Sequence, residues 1–275
     1  MQTLGTTLKS ARQAQHLTQH QVAQDICAQS MLSAIEHDRY VPNARLLLAL
    51  CQRLNVAVSA LKLADNFAIS ADASFNHRVE MLCNAHQYQA LKDFLLVPAT
   101  LTHVQTDEQT QAYYYYLGIA CWQVDATSGD AIQNIQLALG MATPNAPLTT
   151  LSRLALISLA VFKTAHYAAA HVETLVTQAL QDIEAGPYEE NLNIVYYLAG
   201  LVAYQQHAPE LAMNRLTAGI AFATAHNSHY MLANCYQLLA QLALEANDTT
   251  AAQQASERSA VFRELFHEQV HDEFG

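Results

Sequence analysis

The sequence predicts an all-α protein with two domains. Apolar residues recur every three or four positions along most of the chain, which is the spacing of one helix face, and no stretch shows the alternation of a strand. The 275 residues include only 8 glycines and 6 prolines, while 52% are hydrophobic and 13% are charged. This composition is typical of a compact, loop-poor helical protein that is long enough to bury two cores.

Residues 17–43 predict two short helices joined by a tight turn. Thr18 can cap the first helix, and a second periodic run begins at Met31 on a different face. A helix-turn-helix of this kind can place its second helix in a DNA major groove. Three polar residues of that helix are not needed for its core and can pair with base edges or phosphates: Gln29, Ser30 and Ser33. The alternative is a plain helical hairpin with a solvated polar face.

Three further helices complete a five-helix unit around this motif. The first is predicted over Leu4–Gln15 with Lys9 and Arg12 facing outward, Asn43 can cap a fourth, and Val58–Leu63 forms a fifth. We therefore place a DNA-binding domain at residues 1–66, which we call the head. A linker follows at 67–74, and residues 75–275 form a second domain, which we call the body.

Charge is divided unequally between these two parts. Residues 1–66 hold six Lys/Arg and four Asp/Glu, a net +2, whereas the remainder holds seven and twenty, a net −13. This asymmetry is expected if only the head meets phosphate, and we add Arg39 to Lys9 and Arg12 as candidate DNA contacts. Because a charge of +2 gives weak non-specific affinity, we expect a dimer that presents two heads to the DNA.

The body is predicted to consist of helical repeats. Its segments follow one another about every 20 residues, at 75–87, 88–96, 108–124, 128–142, 147–164, 167–184, 189–206, 208–225, 228–246 and 248–271. Similar apolar stretches begin at Tyr114, Leu154, Tyr196 and Tyr236, a period of about 40 residues that suits stacked helix hairpins. Within one period, five residues match the packing positions of tetratricopeptide repeats: Tyr196, Gly200, Ala212, Leu216 and Gly219. We expect a right-handed solenoid whose concave wall can hold a peptide.

Polar and aromatic residues within the apolar helices of the body are the candidate peptide contacts. Asn234 and Gln237, about one turn apart, can make paired hydrogen bonds to a ligand backbone, and Arg153 can hold a peptide carboxylate. Tyr197 and Tyr230 join them because tyrosine suits recognition surfaces. For each residue, a structural hydrogen bond inside the solenoid is the alternative.

Residues 267–271 match H-E-x-x-H, the zinc-protease pattern, with His267 and His271 one turn apart on a predicted helix. A working site needs a third protein ligand, and only four residues follow. We therefore expect the helix to cap the solenoid or to pack against a partner subunit. The sequence contains no glycine-rich phosphate loop and no G-x-S-x-G motif, so we expect no enzymatic activity, no catalytic residues, no metal site and no cofactor.

The sequence also predicts a cytoplasmic protein that does not enter a membrane. Five widely spaced cysteines without a C-x-x-C pair suit reduced thiols. No apolar run reaches the roughly 20 residues that a membrane span needs. The first residues lead directly into a helix rather than into a secretion leader.

The head resembles the XRE/Cro-type helix-turn-helix group, whose fold is lambda-repressor-like, through Leu-Thr-Gln-x-x-Val-Ala at 17–23 and Ser-x-Ile-Glu at 33–36. More narrowly, Leu4-Gly5, Leu8-Lys9, Arg12, Ile26-Cys27-x-Gln29-Ser30 and Pro42 resemble PlcR-like and Rgg-like regulators. These belong to the RRNPP family of quorum-sensing receptors of Gram-positive bacteria. In the body, Arg78-Val79-x-Met81-Leu82-Cys83 is similar to the first repeat of that group.

The resemblance implies a cytoplasmic homodimeric transcription regulator that binds a palindromic operator and, in its repeats, a short re-imported signalling peptide. It also implies that Gln19 and Asn43 contact phosphates, that Gln29, Ser30 and Ser33 read bases, and that Asn234 contacts the peptide. Where that group has two peptide-clamping asparagines, this sequence has apolar residues around Leu156 and Leu198. A different interpretation is a DNA-tethered scaffold whose repeats bind a protein partner.

Overall fold

The computed structural model describes residues 4–37, 39–40, 42–56, 67–125, 129–143, 146–266 and 268–270, which form fifteen α-helices and no strand. The first four are α1 (Leu4–Ala14), α2 (Gln19–Ala23), α3 (Gln29–Glu36) and α4 (Ala44–Leu54). The others are α5 (Ala73–Asn84), α6 (Tyr88–Leu96), α7 (Pro98–Thr102), α8 (Asp107–Val124), α9 (Gly129–Gly140), α10 (Thr150–Lys163), α11 (Ala169–Leu180), α12 (Leu192–Gln205), α13 (Pro209–Ala225), α14 (Leu232–Glu245) and α15 (Thr249–Phe266). The prediction of an all-α fold is confirmed.

The four described helices of the head share one small core. Leu8 from α1, Val22 from α2, Leu32 and Ile35 from α3, and Leu50 from α4 are all essentially inaccessible to solvent there. These are the positions that the helical spacing of the sequence assigns to the interior. The predicted fifth helix at 58–63 lies outside the described residues.

The described part of the segment expected to act as a linker, 67–74, packs against the body. Ile69 is completely buried in the core of the body, and the backbone N–H of Phe67 donates to the hydroxyl of Tyr116 at 2.8 Å. The side-chain oxygen of Asn76 accepts from the backbone N–H of Ile69 at 2.9 Å. The small and polar residues around Phe67 and Ile69 concealed these two apolar anchors in the sequence.

Helix hairpins of the body form two layers. Helices α8, α10, α12 and α14 make one layer, in which each helix contacts the next, and α9, α11, α13 and α15 pair with them from outside. Consecutive helices of the outer layer make at most marginal contact with each other. The stack must therefore curve, with the α8–α14 layer on the inner side. Within that layer, every residue of α10 except Val161 is buried.

Close packing between α12 and α13 depends on two glycines. A Cβ atom at Gly200 would lie 2.6 Å from Cδ2 of Leu216, and one at Gly219 would lie 2.8 Å from Cβ of Tyr196. Real side chains do not approach so closely, so each glycine allows the neighbouring helix to come nearer than alanine would permit. The five residues that the sequence assigns to repeat packing, Tyr196, Gly200, Ala212, Leu216 and Gly219, therefore all lie in the contact between α12 and α13.

Several helix ends differ from the predicted ones. Helix α10 begins at Thr150 rather than at 147 because Thr149 caps it, its hydroxyl accepting from the N–H of Ser152. The short helix α7, which starts at Pro98, was not predicted because five residues carry no periodicity. Helix α15 ends at Phe266, not at 271. In the described ranges, no helix has the length and apolarity needed to cross a membrane.

Candidate DNA-binding surface and candidate peptide site

Local sequence chemistry fixes the turn between α2 and α3. Thr18 and Gln21 form a capping box: Oγ1 of Thr18 accepts from the N–H of Gln21 at 3.2 Å, and Oε1 of Gln21 accepts from the N–H of Thr18 at 2.8 Å. Between the helices, Asp25 adopts a left-handed conformation with φ 62°, which aspartate tolerates better than most residues. The predicted cap at Thr18 is confirmed.

The first turn of α3 projects from the head. Gln29, Ser30 and Met31 are exposed, while Leu32 and Ile35 on the opposite side are buried. Ser33, one turn after Gln29, is half-buried. The polar residues predicted to read bases therefore lie at the start of a helix whose other face is anchored in the core, an arrangement that suits insertion into a groove.

A buried carboxylate, Glu36, holds this surface together. The side chain of Glu36 is 0% exposed and accepts from Nε of Arg12 at 2.6 Å and from Nη2 at 2.9 Å. It also accepts from Nε2 of Gln19 at 2.8 Å, and Oε1 of Gln19 in turn accepts from Nε2 of Gln29 at 2.7 Å. Three predicted DNA contacts on three helices, namely Arg12, Gln19 and Gln29, are thus connected to one acid that the sequence does not assign to the site.

Electrostatics favour the charged form of Glu36. Burial by itself would raise the pKa of Glu36, but hydrogen bonds from Arg12 and Gln19 and the charges of Arg12 and Lys9 hold that pKa below its ordinary value. Arg12 also donates from Nη1 to the carbonyl of Leu17 at 2.9 Å, and its side chain is only 12% exposed. The prediction that Arg12 faces outward is therefore wrong, because its charge is turned inward onto Glu36.

The other candidate DNA contacts lie at the surface of the head. Asn43 is exposed and caps α4 as predicted, its Oδ1 accepting from the N–H of Leu46 at 2.9 Å. Arg39 is exposed and Lys9 is half-buried. An open depression beside α3 is lined by Arg12, Thr18, Gln19, His20 and Gln29.

In the body, the amide of Asn234 is engaged by the end of the chain. Asn234 is only 2% exposed, and its Nδ2 donates to Oε1 of Glu268 at 2.7 Å and to the carbonyl of Gln269 at 3.1 Å. Its backbone N–H donates to the same Oε1 at 3.4 Å. Residues Glu268–Val270, which we call the tail, therefore lie against the start of α14.

Aromatic stacking leads the tail to this position. The rings of His229 and Phe266 are stacked with centroids 3.4 Å apart, and Ser259 of α15 donates to the carbonyl of Ala233 at 2.9 Å. Burial lowers the pKa of His229 to about 4, so this imidazole is neutral at physiological pH. Both contacts anchor α15 against α14 immediately before the tail.

The pKa of Glu268 lies above its ordinary value because burial raises it. Hydrogen bonds from the side chain of Asn234 and from the backbone N–H groups of Asn234, Ala233 and Met231 lower this pKa, but by less. The second carboxylate oxygen, Oε2, is buried without a hydrogen-bond partner among the described residues. The hydroxyl of Tyr197, which is 2% exposed, also finds no partner there. Burial raises the pKa of Tyr197, with further contributions from Cys235 and Glu268.

Arg153 binds backbone carbonyls. Its Nη1 donates to the carbonyls of Ala179 and Gln181, at 2.8 and 2.7 Å, at the C-terminal end of α11. A cation at that end of a helix satisfies carbonyls that have no partner within the helix. In the described conformation Arg153 is 7% exposed and serves this capping role.

Tyr230 and Gln237 are half-buried, so they are the more accessible candidate peptide contacts. The backbone carbonyl of Tyr230 accepts from Nδ2 of Asn193 at 3.0 Å. The backbone N–H of Tyr230 donates to Oγ of Ser228 at 3.2 Å. Asn193 is a residue that the sequence analysis missed, although it carries the same signal as Asn234, an amide within an apolar helix.

The helix predicted to carry the H-E-x-x-H pattern ends at Phe266. His267 and His271 lie outside the described residues, and Glu268, Gln269 and Val270 between them are not helical. Glu268 instead contacts Asn234. Within the described ranges, no group of three or more His, Cys, Asp or Glu residues could hold a metal ion.

Comparison with known proteins agrees with this architecture. Residues 8–61 match the helix-turn-helix family. The structure is similar to that of PlcR from Bacillus thuringiensis in complex with the peptide PapR7 and DNA, with a TM-score of 0.61 and 18% identity over 97% of this chain and 96% of that one. For PlcR in its apo form the values are 0.57 and 15%, over 94% of each chain. No curated protein sequence matches the chain significantly. The chain thus contains a helix-turn-helix domain and has the fold of PlcR.

Proposed function

We propose that this chain is a cytoplasmic transcription regulator of the quorum-sensing type, which binds operator DNA through its head and a short signalling peptide through its body. The observation that carries the proposal is the exposed first turn of α3, with Gln29 braced through Gln19 by the buried Glu36. Preorganised amides of this kind make base contacts at little ordering cost. The similarity to PlcR, a protein solved with a peptide and DNA, supports the same assignment.

A homodimer is part of the proposal. A net charge of +2 on the head gives little non-specific affinity, and two heads on one duplex would bind a palindrome with half-sites about one helical turn, or a multiple of it, apart. The peptide would favour one arrangement of the dimer and so change the spacing or freedom of the heads. By linkage, DNA would change the peptide affinity by the same factor.

The DNA part is tested by selecting duplexes from a random-sequence pool with the purified chain, and then measuring affinity as a function of salt. We expect a palindromic sequence to emerge, and Gln29→Ala combined with Ser33→Ala to weaken binding to it by about tenfold or more. Gln13→Ala, an exposed amide change on α1, is the matched control. Recovery of no preferred sequence, or an unchanged affinity of the double variant, would refute the assignment of the head.

The peptide part is tested with a pool of short hydrophobic synthetic peptides. A peptide that binds the full chain and changes its affinity for the selected duplex supports the proposal. If no peptide binds while the duplex does, the DNA-tethered scaffold is the better description of the body.

A further inference from the structure

The amide of Asn234, which the sequence assigns to ligand backbone, already binds backbone. Its Nδ2 reaches the Gln269 carbonyl at 3.1 Å and the Glu268 carboxylate at 2.7 Å, both from the tail. This position therefore holds an acidic side chain and the backbone carbonyl of the residue that follows it. The tail makes these contacts outside any helix.

The start of α14 is built to receive such a group. A helix leaves its first N–H groups without partners, and α14 has no side-chain cap of its own, because its N-cap residue is Met231. Met231 adopts a left-handed conformation with φ 68°, which is uncommon for a bulky residue. The backbone N–H of Asn234 donates to Oε1 of Glu268 at 3.4 Å, so the tail supplies an acceptor at the start of this helix.

The fit of the tail is incomplete. Oε2 of Glu268 and the hydroxyl of Tyr197, which is 98% buried, have no hydrogen-bond partner within the described residues. Each buried polar atom without a partner weakens the bound arrangement. A segment whose carboxylate has both oxygens hydrogen-bonded, and which also pairs with the hydroxyl of Tyr197, would bind the same position better than the tail does.

We infer that the first turn of α14 is a binding site for an acidic, non-helical peptide segment, which the tail occupies within its own chain, and that a signalling peptide reaches Asn234 only by displacing the tail. The inference rests on the proposed function for the identity of the competitor. It specifies a ligand that presents a carboxylate, from a side chain or from its own C-terminus. The tethered tail acts at a high effective concentration, so its release increases the apparent affinity of the competitor.

Trimming by a carboxypeptidase, followed by intact mass, tests whether the tail is bound. In the unsubstituted full chain, we expect digestion to stop before it removes the tail. In Asn234→Ala and Glu268→Ala we expect it to continue to the end of α15. Glu268→Gln keeps an acceptor for Asn234 but removes the charge, so it should be trimmed faster than the unsubstituted chain and more slowly than Glu268→Ala. Gln241→Ala, which removes an amide elsewhere on α14, should remain protected. Equal trimming in the unsubstituted chain and in both alanine variants overturns the inference.

A peptide added in trans tests whether the position is a binding site. The probe is a fluorescein-labelled peptide, FHEQVHDEFG, with the sequence of residues 266–275. We expect Glu268→Ala to bind it about tenfold or more tightly than the unsubstituted chain, because the position is then vacated. The additional change Asn234→Ala should abolish that gain, and Gln241→Ala should not. A peptide with alanine in place of the glutamate that corresponds to Glu268 should lose the gain too. A gain that is independent of either change overturns the inference.

Neither measurement uses DNA or a signalling peptide. If both measurements show no binding of the tail to α14, the inference is wrong but the proposed function is unaffected. Conversely, if no peptide and no duplex binds the full chain, the trimming and the labelled peptide still report whether α14 holds the tail. Circular dichroism of each variant establishes that it is folded.

Discussion

Replacement of Glu36 by alanine should destabilise the head selectively. The change removes the acceptor of two hydrogen bonds from Arg12 and one from Gln19, and leaves the Arg12 guanidinium, 12% exposed, without its carboxylate. Removal of one partner from a buried ion pair costs about 3–5 kcal/mol, and the partial exposure of Arg12 places this pair at about 3 kcal/mol. A domain of this size is stable by only about 3–8 kcal/mol, so Glu36→Ala removes a large share of its stability.

The single tryptophan makes the assay specific. Trp122 lies in α8 and stacks on Phe162 with ring centroids 4.2 Å apart, so its fluorescence follows the body. Far-UV circular dichroism follows all helices, including those of the head. In urea, we expect Glu36→Ala to lower the midpoint of the head component of the dichroism transition by about 3 M, given a loss of about 3 kcal/mol and about 1 kcal/mol per molar for a small domain. The tryptophan transition should keep its midpoint.

Two controls separate the ion pair from general damage to the head. Gln13→Ala on α1 removes an exposed side chain and should leave both transitions unchanged. The double change Arg12→Ala with Glu36→Ala should recover part of the lost stability, because it leaves no unpaired charge. An equal shift of the tryptophan and dichroism transitions in Glu36→Ala would refute the reasoning, since head and body would then unfold as one unit.

Three further outcomes are expected. The pKa of Glu36 in the folded head is held below its unfolded value of about 4.3. The contribution of Glu36 to the stability of the head is therefore present above a pH of about 4.3 and is lost as the pH falls through the folded-state pKa. Glu36→Gln should make the head less sensitive to acid when unfolding is followed by circular dichroism. Gly200→Ala forces a Cβ against Leu216 and should destabilise the body by about 1–3 kcal/mol in the tryptophan transition, whereas Gly140→Ala, with open space around it, should not. Arg153→Met leaves two carbonyls at the end of α11 without their donor, and should cost the body about 1–3 kcal/mol in the same assay.

The fold could be predicted from the sequence because its signals are local. Apolar spacing places Leu8, Val22 and Leu32 in the core of the head, and the small residues Gly200 and Gly219 mark where helices of one repeat touch. Each of these properties depends on neighbours within a few positions along the chain, which the order of residues specifies directly.

Features that depend on distant partners could not be predicted. From its position on an amphipathic helix, Arg12 is predicted to be a surface cation. Its partner Glu36 is 24 residues away in the sequence, so the ion pair is formed only in the folded head. Asn234 was recognised as an amide with unusual surroundings, but its partner is Glu268, 34 residues away. The same glutamate was read as part of a zinc motif, because the pattern presumes a helix that in fact ends at Phe266.

The burial of α10 on almost every side restricts how this chain can diversify. A substitution at almost any position of α10 changes the packing of the helices around it. Changes of ligand specificity at these positions would therefore also destabilise the body. Under the proposed function, related chains that bind different peptides should therefore differ around Tyr230, Gln237 and the tail, while α10 stays the same.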